Sequence, residues 1–396
     1  MTISLHIVGG VYRERCRWPM PETDQVFGSA GRAAAALQGT GIPRVLHTYL
    51  GPDLYENIEL ILGGFDFSIE KHQRKNDPVF DYVHCLAVPA ISPNLVTIQQ
   101  MPPLHIKADR VVRFGMLEGD AVVDADMCVY DPQSAYVPVG FRANGSRANR
   151  LAIVANSGEV KALTGLTDVS TAAAKLRDDE QAEIVVVKCG LDGAIVASKD
   201  GIARVPAFKV ETAQTIGSGD VFVAVFSKGW MYDGLTPVDA ALAASKATAN
   251  FIESSILPVE LDDQLRSEIQ SASGTVYLAG PFFSIGQRWL VDEARRVLLE
   301  LGLTVFSPVH DVGRGSAHEV APKDIAAIHE CDVMFAIIDG VDSGTVFEIG
   351  YARALGKPVF GLAQSVPEED LKMIEGSHCV ISADFASLIL KVAQRT

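Results

Sequence analysis

Short apolar segments rich in β-branched residues alternate with alanine-rich segments along much of this 396-residue chain. Segments of the first kind are typical of buried strands, and segments of the second kind are typical of helices. The strand segments are residues 3–8, 121–129, 151–155 and 184–188, and the helix segments are residues 31–38 and 238–252. Strands that alternate with helices predict an α/β fold, with a parallel sheet and helices on both of its faces.

The pattern breaks at residues 257–273 and then starts again. This segment contains Pro258, a charged stretch that predicts a helix, and a Ser/Gly-rich end, which together indicate a linker. After it, TVYLAGPF, TVFSPV, VMFAIIDG and KPVFGLA each predict a strand, and residues 287–301 and 347–355 predict helices. We therefore predict a larger α/β domain over residues 1–256 and a smaller one over residues 274–396.

The composition argues against several classes of protein. Lysine and arginine number 34 against 49 aspartates and glutamates, a net charge of −15, and no basic run interrupts this acidity, so nucleic-acid binding is not expected. No apolar stretch approaches the length of about 18 residues that a membrane-spanning helix needs. The six cysteines are scattered, with no Cys-x-x-Cys pair, which favours reduced thiols and a cytoplasmic protein.

A glycine-rich turn precedes a predicted helix near the end of the first domain. In TIGSGD, Gly217, Ser218 and Gly219 stand immediately before the apolar segment VFVAVFSKGW. Backbone amides at such a turn and helix start bind anions, so the turn is predicted to be an anion hole. Asp220 is positioned to accept the proton of a hydroxyl that attacks a phosphoryl group. The alternative is a plain turn with Asp220 as a helix cap.

The order of several motifs supports phosphoryl transfer. GSAGR, NSGE, VVVKCGLDGAIVA and IGSGDVF follow one another, and together they resemble the PfkB, or ribokinase-like, kinases of carbohydrates and nucleosides over residues 1–256. The resemblance implies a three-layer α/β/α domain that uses ATP and Mg²⁺, with Asp220 as the catalytic base at the anion hole. It also implies roles for the other motifs: Asn156 and Glu159 organise Mg²⁺ and phosphate, Glu159 indirectly; Gly190 and Gly193 border the ATP site; Gly28 and Gly31 line the sugar pocket.

The first domain departs from the family pattern around the sugar pocket. Phe27 precedes Gly28, Arg32 stands where the family has an asparagine, and Gln214 replaces an aspartate. Glu14 is the nearest carboxylate to the aspartate that grips sugar hydroxyls in the family. We therefore expect Glu14 and Arg32 to contact a bulkier or anionic acceptor. Because the domain is short for the family, we also expect a reduced β lid.

The second domain opens with a strand that ends in Gly-Pro, and many carboxylates follow farther on. Gly280 and Pro281 let the chain turn close to a ligand at the carboxyl end of the sheet, the edge at which α/β proteins bind ligands. The carboxylates stand among apolar residues: Asp324, Asp332, Asp339, Asp342 and Glu348. Asp324 falls at the start of a predicted helix, where a solvated charge favoured by the helix dipole is the alternative to a functional role.

Glu348 is the strongest candidate nucleophile in this domain. It follows a Ser-Gly-Thr turn and lies beside a predicted apolar stripe of Phe347, Tyr351 and Leu355, which indicates partial burial. A carboxylate in such a position is able to form a covalent intermediate.

The set YLAGPFF, D-x-x-x-I-x-x-C-D and DSGTVFEIGYARALGKPV closely resembles the nucleoside 2-deoxyribosyltransferase family over residues 274–396. The resemblance implies a flavodoxin-like fold in which Glu348 attacks the anomeric carbon of a 2′-deoxynucleoside and Tyr277 orients it. Asp324 and Asp342 then assist the base or hold the sugar. The candidate substrate contacts are Gly280, Pro281, Phe283, Ser284, Ser343 and Gly344, with Arg288 and Arg314 as further candidates for gripping a phosphate. The same resemblance implies a homo-oligomer.

The sequence as a whole predicts a bifunctional enzyme of nucleoside or nucleotide metabolism. The first domain phosphorylates a nucleoside or sugar hydroxyl, and the second cleaves the N-glycosidic bond or transfers the deoxyribosyl group; either reaction can come first. The ligands are small nucleosides, nucleotides or sugars, with ATP and Mg²⁺ as cofactors. The alternative is a sensor in which one or both domains bind a nucleoside or nucleotide without turnover.

Overall fold

A computed structural model describes residues 3–261, 265–270 and 273–395, which divide into two compact units. Unit 1 comprises Met1–Val210 and Gln214–Glu268, and unit 2 comprises Glu211–Ala213 and Ile269–Thr396. Each unit contains its own sheet and its own apolar core.

Unit 1 is built on a long, mostly parallel sheet. The strands of unit 1, in both of its sheets, are β1 (Leu5–Val8), β2 (Arg13–Trp18), β3 (Thr23–Val26), β4 (Arg44–Leu50), β5 (Ser68–Gln73), β6 (Val79–His84), β7 (Ala90–Ser92), β8 (Leu104–Phe114), β9 (Ala121–Asp131), β10 (Arg147–Asn156), β11 (Ile184–Lys188), β12 (Ala194–Ser198) and β13 (Gly201–Val205). The main sheet has the order β13-β12-β11-β10-β9-β8-β1-β4-β5. The pairs β11–β12 and β12–β13 are antiparallel, and the other pairs in this sheet are parallel.

Helices cover both faces of this sheet. They are α1 (Gly28–Ala36), α2 (Pro52–Leu62), α3 (Ser157–Thr164), α4 (Val169–Asp179), α5 (Ser218–Met231) and α6 (Pro237–Ser254). Successive residues of a strand point to opposite faces of the sheet. In β10, Ala152 and Val154 pack in the core on one face, with α1, α2, α5 and α6. Leu151 and Ile153 pack in the core on the other face, with α3 and α4. The predicted three-layer α/β/α fold class is confirmed.

A second, smaller sheet of unit 1, which we call the lid sheet, consists of β2, β3, β6 and β7 in the order β3-β2-β6-β7. Strands β2 and β6 are parallel, and the two outer pairs are antiparallel. Glu14 of β2 lies opposite Phe80 of β6, and Phe80 lies opposite Ile91 of β7. These three residues therefore form one row across the lid sheet.

The described residues of the predicted linker belong to unit 1 as far as Glu268 and to unit 2 from Ile269 on. Residues 257–261 and 265–270 contain no helix, so the helix predicted there is wrong for those residues, and residues 262–264 and 271–272 lie outside the described part. Val259 is buried in the main core, and Arg266 pairs with Glu253 at 2.6 Å. These tertiary contacts, rather than a regular helix, hold the segment in place.

Unit 2 has a parallel sheet with the order β15-β14-β16-β17-β18. The strands are β14 (Thr275–Ala279), β15 (Thr304–Phe306), β16 (Val333–Ile337), β17 (Val359–Leu362) and β18 (Val380–Ser382). The helices are α7 (Ile285–Glu300), α8 (Pro308–Asp311), α9 (Ala317–Glu330), α10 (Ser343–Ala354), α11 (Glu368–Gly376) and α12 (Phe385–Ala393). The order 2-1-3-4-5 is that of flavodoxin-like folds, whose ligand crevice lies where the strand order reverses, here between β14 and β16. The expected flavodoxin-like fold is confirmed.

Two local expectations for unit 2 are wrong. Helix α9 begins at Ala317 and continues through Pro322, so Asp324 lies inside the helix and not at its start. The buried residues of α10 are Thr345, Ile349 and Ala352, whereas Phe347 of the predicted stripe is 59% exposed. Helix α10 has apolar residues on two neighbouring stripes, both with the helical period, and only the stripe that includes Ile349 and Ala352 packs in the core.

Candidate active sites

Asp220 lies at the N-terminus of α5, directly after the predicted anion hole. Gly217 caps the helix with φ of 81°, a left-handed conformation that favours glycine. A Cβ atom at this position would also lie 2.2 Å from Nε of Arg32. A side chain there would therefore both strain the backbone and displace Arg32. Asp220 is buried. The local sequence thus builds a tight turn that places a carboxylate and a positive helix end side by side.

Arg32 of α1 joins two carboxylates of unit 1. Its Nη1 donates to Oδ2 of Asp220 at 3.0 Å, and its Nη2 forms an ion pair with Glu14. The guanidinium is only 2% exposed. Burial raises the pKa of Asp220 to about 6; the charge of Arg32 opposes this shift, and the charge of Glu14 adds to it. The expected role of Arg32 in binding an anionic acceptor stays a prediction.

A cavity of about 560 Å³, which we call the acceptor cavity, opens beside Asp220. It brings together these predicted residues: Glu14, Gly28, Glu159, Gly217, Gly219 and Asp220. Other predicted residues are not part of its described lining: Gly31, Arg32, Asn156, Gly190, Gly193 and Ser218. Gly28 has φ of 57°, and a Cβ there would lie 2.5 Å from the carbonyl oxygen of Gly10, so this wall requires glycine.

Asn156 and Glu159 form a capping box at the start of α3. The side chain of Asn156 accepts from the Glu159 N–H at 2.9 Å, and Oε2 of Glu159 accepts from the Asn156 N–H at 2.7 Å. Burial raises the pKa of Glu159 to about 7, helped by the charge of Asp131 and opposed by Lys188. The motif therefore has a structural role and also presents one carboxylate to the cavity wall.

Lys188 and Asp131 are functional candidates that the sequence reasoning missed. Nζ of Lys188 pairs with Oδ2 of Asp131 at 2.8 Å, at the carboxyl ends of β11 and β9. A Cβ at Gly219 would lie 3.3 Å from that Nζ, which puts a cation beside the predicted anion hole. The available signal was a charged residue at the end of each apolar strand, the edge where α/β proteins bind ligands.

A second buried network missed from the sequence supports the cavity. The hydroxyl of Tyr12 donates to Glu118 at 2.6 Å and accepts from the N–H of Leu117 at 2.9 Å. Arg74 forms an ion pair with Glu118 and donates to the carbonyl of Val11 at 2.9 Å. Because the hydroxyl of Tyr12 is engaged, its ring is the part available to a ligand.

Gly190 and Gly193 flank a short turn between β11 and β12. Both have positive φ, 59° and 77°, and a Cβ at Gly193 would lie 2.0 Å from the carbonyl oxygen of Val205 in β13. This close approach explains the glycine in structural terms. A role of the two residues at an ATP site stays a prediction.

Tyr277 and Glu348 form the centre of the candidate site in unit 2. The hydroxyl of Tyr277, in the middle of β14, donates to Oε1 of Glu348 in α10 at 2.7 Å. Tyr277 is fully buried, and its ring stacks on Phe306 with centroids 5.4 Å apart. Burial raises the pKa of Glu348 to about 7, whereas the hydrogen bond from Tyr277 lowers it. Glu348 therefore changes its charge near neutral pH.

Asp324 and Asp342 are close enough to Glu348 for their charges to raise its pKa further. Oδ2 of Asp342 caps α10 by accepting from the N–H of Thr345 at 2.9 Å. Oδ1 of Asp324 is buried and has no hydrogen-bond partner among the described residues, and burial raises the pKa of this carboxyl. The structure thus brings together the predicted residues Tyr277, Asp324, Asp342 and Glu348.

The two remaining carboxylates singled out from the sequence hold loops. Asp332 accepts from the N–H of Thr275 at 2.6 Å, and Asp339 accepts from the N–H groups of Gln364 at 2.9 Å and Ser365 at 2.6 Å. Both therefore satisfy backbone donors at strand ends.

The loop after β14 packs closely and then opens to solvent. A Cβ at Gly280 would lie 3.0 Å from Cβ of Ile337, so the glycine permits close packing, and the next residue, Pro281, is buried. Phe283 is 73% exposed, and Ser284 caps α7 through the N–H of Gln287 at 3.3 Å. Their roles as substrate contacts stay predictions.

The other predicted contacts of unit 2 lie at the start of α10, in α7 and in the loop before α9. Ser343 and Gly344 form the first turn of α10, and a Cβ at Gly344 would lie 3.0 Å from Oδ2 of Asp342. Arg288 pairs with Asp292 at 3.1 Å, and Arg314 is exposed. A phosphate-gripping role for either arginine stays a prediction.

Family models match both parts of the chain. The model described as pfkB family carbohydrate kinase matches residues 126–255, which include Asn156, Glu159 and Asp220. The model described as nucleoside 2-deoxyribosyltransferase matches residues 276–374, which include Tyr277 and Glu348. The chain joins a PfkB kinase domain to a nucleoside 2-deoxyribosyltransferase domain. The predicted fusion is confirmed.

Curated relatives match short segments. A 2-dehydro-3-deoxygalactonokinase from Haloferax volcanii is 36% identical over 98 residues, 24% of this chain and 30% of that protein. A deoxyribokinase from Salmonella typhi is 32% identical over 102 residues, 25% of this chain and 33% of that protein. The chain thus spans about a third of the length of the curated relatives it matches.

Solved structures cover more of the chain at lower identity. A ribokinase from Arabidopsis thaliana complexed with ribose and ATP is 17% identical, covering 64% of this chain and 93% of that chain with a TM-score of 0.49. A ribokinase from Thermotoga maritima is 16% identical, covering 63% and 93% with a TM-score of 0.45.

Three further features concern the whole described chain. None of its helices is long and apolar enough to cross a membrane. Within residues 3–261, 265–270 and 273–395, no group of three or more His, Cys, Asp or Glu side chains is arranged to hold a metal ion. The cysteines form no disulfide bond in the same residues.

Proposed function

We propose that this protein is a bifunctional enzyme of nucleoside or nucleotide metabolism. The PfkB kinase domain phosphorylates a hydroxyl of a nucleoside or sugar, and the transferase domain breaks the N-glycosidic bond of a nucleoside or its monophosphate. The observation that carries the proposal is the presence, in one chain, of two carboxylates with pKa values raised toward neutrality: Asp220, which is buried behind the glycine-rich turn, and Glu348, which is partly buried and bonded to Tyr277. Covalent linkage favours passing a product between the two domains.

In the kinase domain, Asp220 is the general base. It accepts the proton of the acceptor hydroxyl as the oxygen attacks the phosphoryl group, and the N-terminus of α5 stabilises the negative charge that develops. A pKa of about 6 leaves Asp220 mostly ionised at neutral pH, and it is close enough to neutrality for proton transfer to be efficient.

The residues beside the anion hole fit Mg·ATP, which supplies the phosphoryl group. Magnesium bound to nucleotide phosphates takes one or two protein carboxylates and keeps several waters, so a dedicated cluster of protein ligands is not required. Glu159 offers one carboxylate on the cavity wall. Lys188, at the carboxyl end of β11, offers a positive charge for phosphate oxygens.

In the transferase domain, Glu348 is the nucleophile. The hydroxyl of Tyr277 holds Oε1, and Oε2 attacks C1′ as the bond from C1′ to the base nitrogen breaks. Asp324, whose pKa is raised by burial, is the candidate donor of the proton that the departing base takes up. Water or a second base then releases the sugar from Glu348.

The test is to incubate the full chain with each common nucleoside and its monophosphate, with and without Mg·ATP, and to follow free base and phosphorylated product together. We expect ATP-dependent phosphorylation that Asp220→Ala abolishes, and base release that Glu348→Ala abolishes. Ligand binding without either product would overturn the proposal and favour a sensor.

A further inference from the structure

The acceptor cavity changes its chemistry along its length. At one end lie Glu14 and Asp220, beside the anion hole. The lining also contains the apolar or aromatic side chains Phe80, Val88, Pro89, Ile91, Leu95 and Met116, and the uncharged polar side chains Ser29, Tyr82, Gln133 and Ser134. A ligand that fills the cavity must therefore present hydroxyl groups to the carboxylates and an apolar surface to the apolar side chains.

The lid sheet sets this gradient through strand register. Glu14, Phe80 and Ile91 stand side by side on β2, β6 and β7, so a single row runs from a carboxylate to an aromatic ring and then to an aliphatic side chain. The ring of Phe80 lies 5.2 Å from the ring of Tyr12, centroid to centroid. Because the Tyr12 hydroxyl is bonded to Glu118, the two rings offer the ligand apolar surface.

The charge of the cavity disfavours an anionic acceptor. Its described lining contains three carboxylates, Glu14, Glu159 and Asp220, and no lysine, arginine or histidine. The nearby cations serve other groups: Arg32 pairs with Glu14 and Asp220, and Lys188, which pairs with Asp131, is assigned above to the phosphates of the nucleotide. An acceptor carboxylate or phosphate would meet like charges in a partly desolvated site, which is unfavourable.

We propose that the acceptor cavity takes an uncharged nucleoside, with the sugar at Glu14 and Asp220 and the base on Phe80 and Ile91. A free pentose would leave Phe80 and Ile91 uncovered, and its hydroxyl groups would find few polar partners there. A planar base covers apolar and aromatic side chains well and needs few hydrogen bonds. This inference rests on the kinase function proposed above and narrows its acceptor.

The experiment compares matched acceptors on the full chain. Adenosine, uridine and their 2′-deoxy forms are set against ribose, 2-deoxyribose and a 2-keto-3-deoxy sugar acid, and kcat/KM is measured for ATP-dependent phosphorylation. We expect kcat/KM for the best nucleoside to exceed that for its pentose by about tenfold or more, because stacking of a base on an aromatic side chain strengthens binding by about that factor. The sugar acid should be the poorest acceptor.

Variants of the lid sheet localise the effect. Phe80→Ala should raise KM for nucleosides about tenfold and leave KM for a pentose unchanged, and Ile91→Ala should act in the same direction. Val83→Ala is the matched control, because Val83 lies on the same strand, is 49% exposed and does not line the cavity. Equal kcat/KM for a nucleoside and its pentose, a sugar acid as the best acceptor, or a Phe80→Ala effect shared by all acceptors would overturn the inference.

Binding separates this inference from the kinase function itself. If no acceptor is phosphorylated, the proposed kinase activity fails. Calorimetry of nucleoside binding then decides the inference. Because the transferase domain is also expected to bind nucleosides, the quantity compared is the part of the binding that Phe80→Ala removes. Nucleoside binding that depends on Phe80 supports the inference, and nucleoside binding that is identical in wild type and Phe80→Ala overturns it.

Discussion

Nη1 of Arg32 donates a hydrogen bond to Oδ2 of Asp220 at 3.0 Å, although the two residues stand 188 positions apart in the chain. The same guanidinium pairs with Glu14, so one buried cation serves two carboxylates of the acceptor cavity. A buried ion pair is costly to break from one side, because the remaining charge keeps its desolvation penalty. Arg32 therefore controls both the position and the ionisation of Asp220.

Replacing Arg32 should shift the pH profile of phosphorylation. The positive charge of Arg32 lowers the pKa of Asp220, so Arg32→Met should raise that pKa and move the acidic limb of kcat/KM to higher pH. It should also lower the free energy of unfolding by about 3–5 kcal/mol, because Glu14 and Asp220 are left buried without a counter-charge. Arg32→Lys, which keeps the charge, should restore the limb toward its wild-type position.

Arg17→Met is the control for this experiment. Arg17 also pairs with two carboxylates, Glu22 and Asp81, but on the exposed side of the lid sheet, where ion pairs contribute little. It should leave both the pH profile and the unfolding transition unchanged. An unshifted acidic limb in Arg32→Met would show that Arg32 does not act on the base.

Removing the carboxylate of Asp220 should abolish phosphorylation and leave base release intact. Loss of a general base typically costs about 10² to 10⁴ in rate. Asp239→Ala is a matched control, since Asp239 is also an acidic residue in the first turn of a helix in unit 1 but lies outside the acceptor cavity. Initial rates with Mg·ATP measure the effect. A wild-type rate of phosphorylation in Asp220→Ala would refute the assignment.

Removing the hydroxyl of Tyr277 should move the pH dependence of base release upward. The hydrogen bond from Tyr277 lowers the pKa of Glu348, so Tyr277→Phe should raise that pKa above its value of about 7. A nucleophile must be ionised, so activity should be lost at a higher pH on acidification than in wild type. Tyr351→Phe removes a comparable hydrogen bond, to His329, and should leave the profile in place. Identical profiles for the two variants would contradict the pairing.

Glu348 should form a covalent intermediate. A 2′-fluoro-2′-deoxynucleoside destabilises the oxocarbenium-like transition state and slows turnover, so intact-mass measurement of the wild type should show a sugar adduct. Glu348→Ala should show none and should lose base release, while phosphorylation persists. An adduct mapped to Asp324 or Asp342 would assign the nucleophile to another carboxylate of the same site, and unchanged base release would exclude glycosyl transfer through Glu348.

Much of the local structure could be predicted from the sequence. The segments predicted as strands 184–188 and 151–155 lie within β11 and β10, and the glycine-rich turn predicted to be an anion hole lies at the start of α5. These features depend on side-chain period and on the conformational freedom of glycine, which are properties of neighbouring residues. Glu348 was also singled out from its motif, and it lies beside Tyr277 in the structure, although the stripe used to argue its burial was wrong.

The alternation of strands and helices, the tight turn at Gly217 and the caps of α3 and α10 were thus determined by the sequence alone, because each depends on residues close together in the chain. The pairing of Arg32 with Asp220, of Tyr277 with Glu348 and of Lys188 with Asp131 was decided only by the tertiary structure. Such contacts require strand order and helix packing to bring distant residues together. The raised pKa values of Asp220 and Glu348 follow from the same cause, since burial exists only once the chain has folded around them.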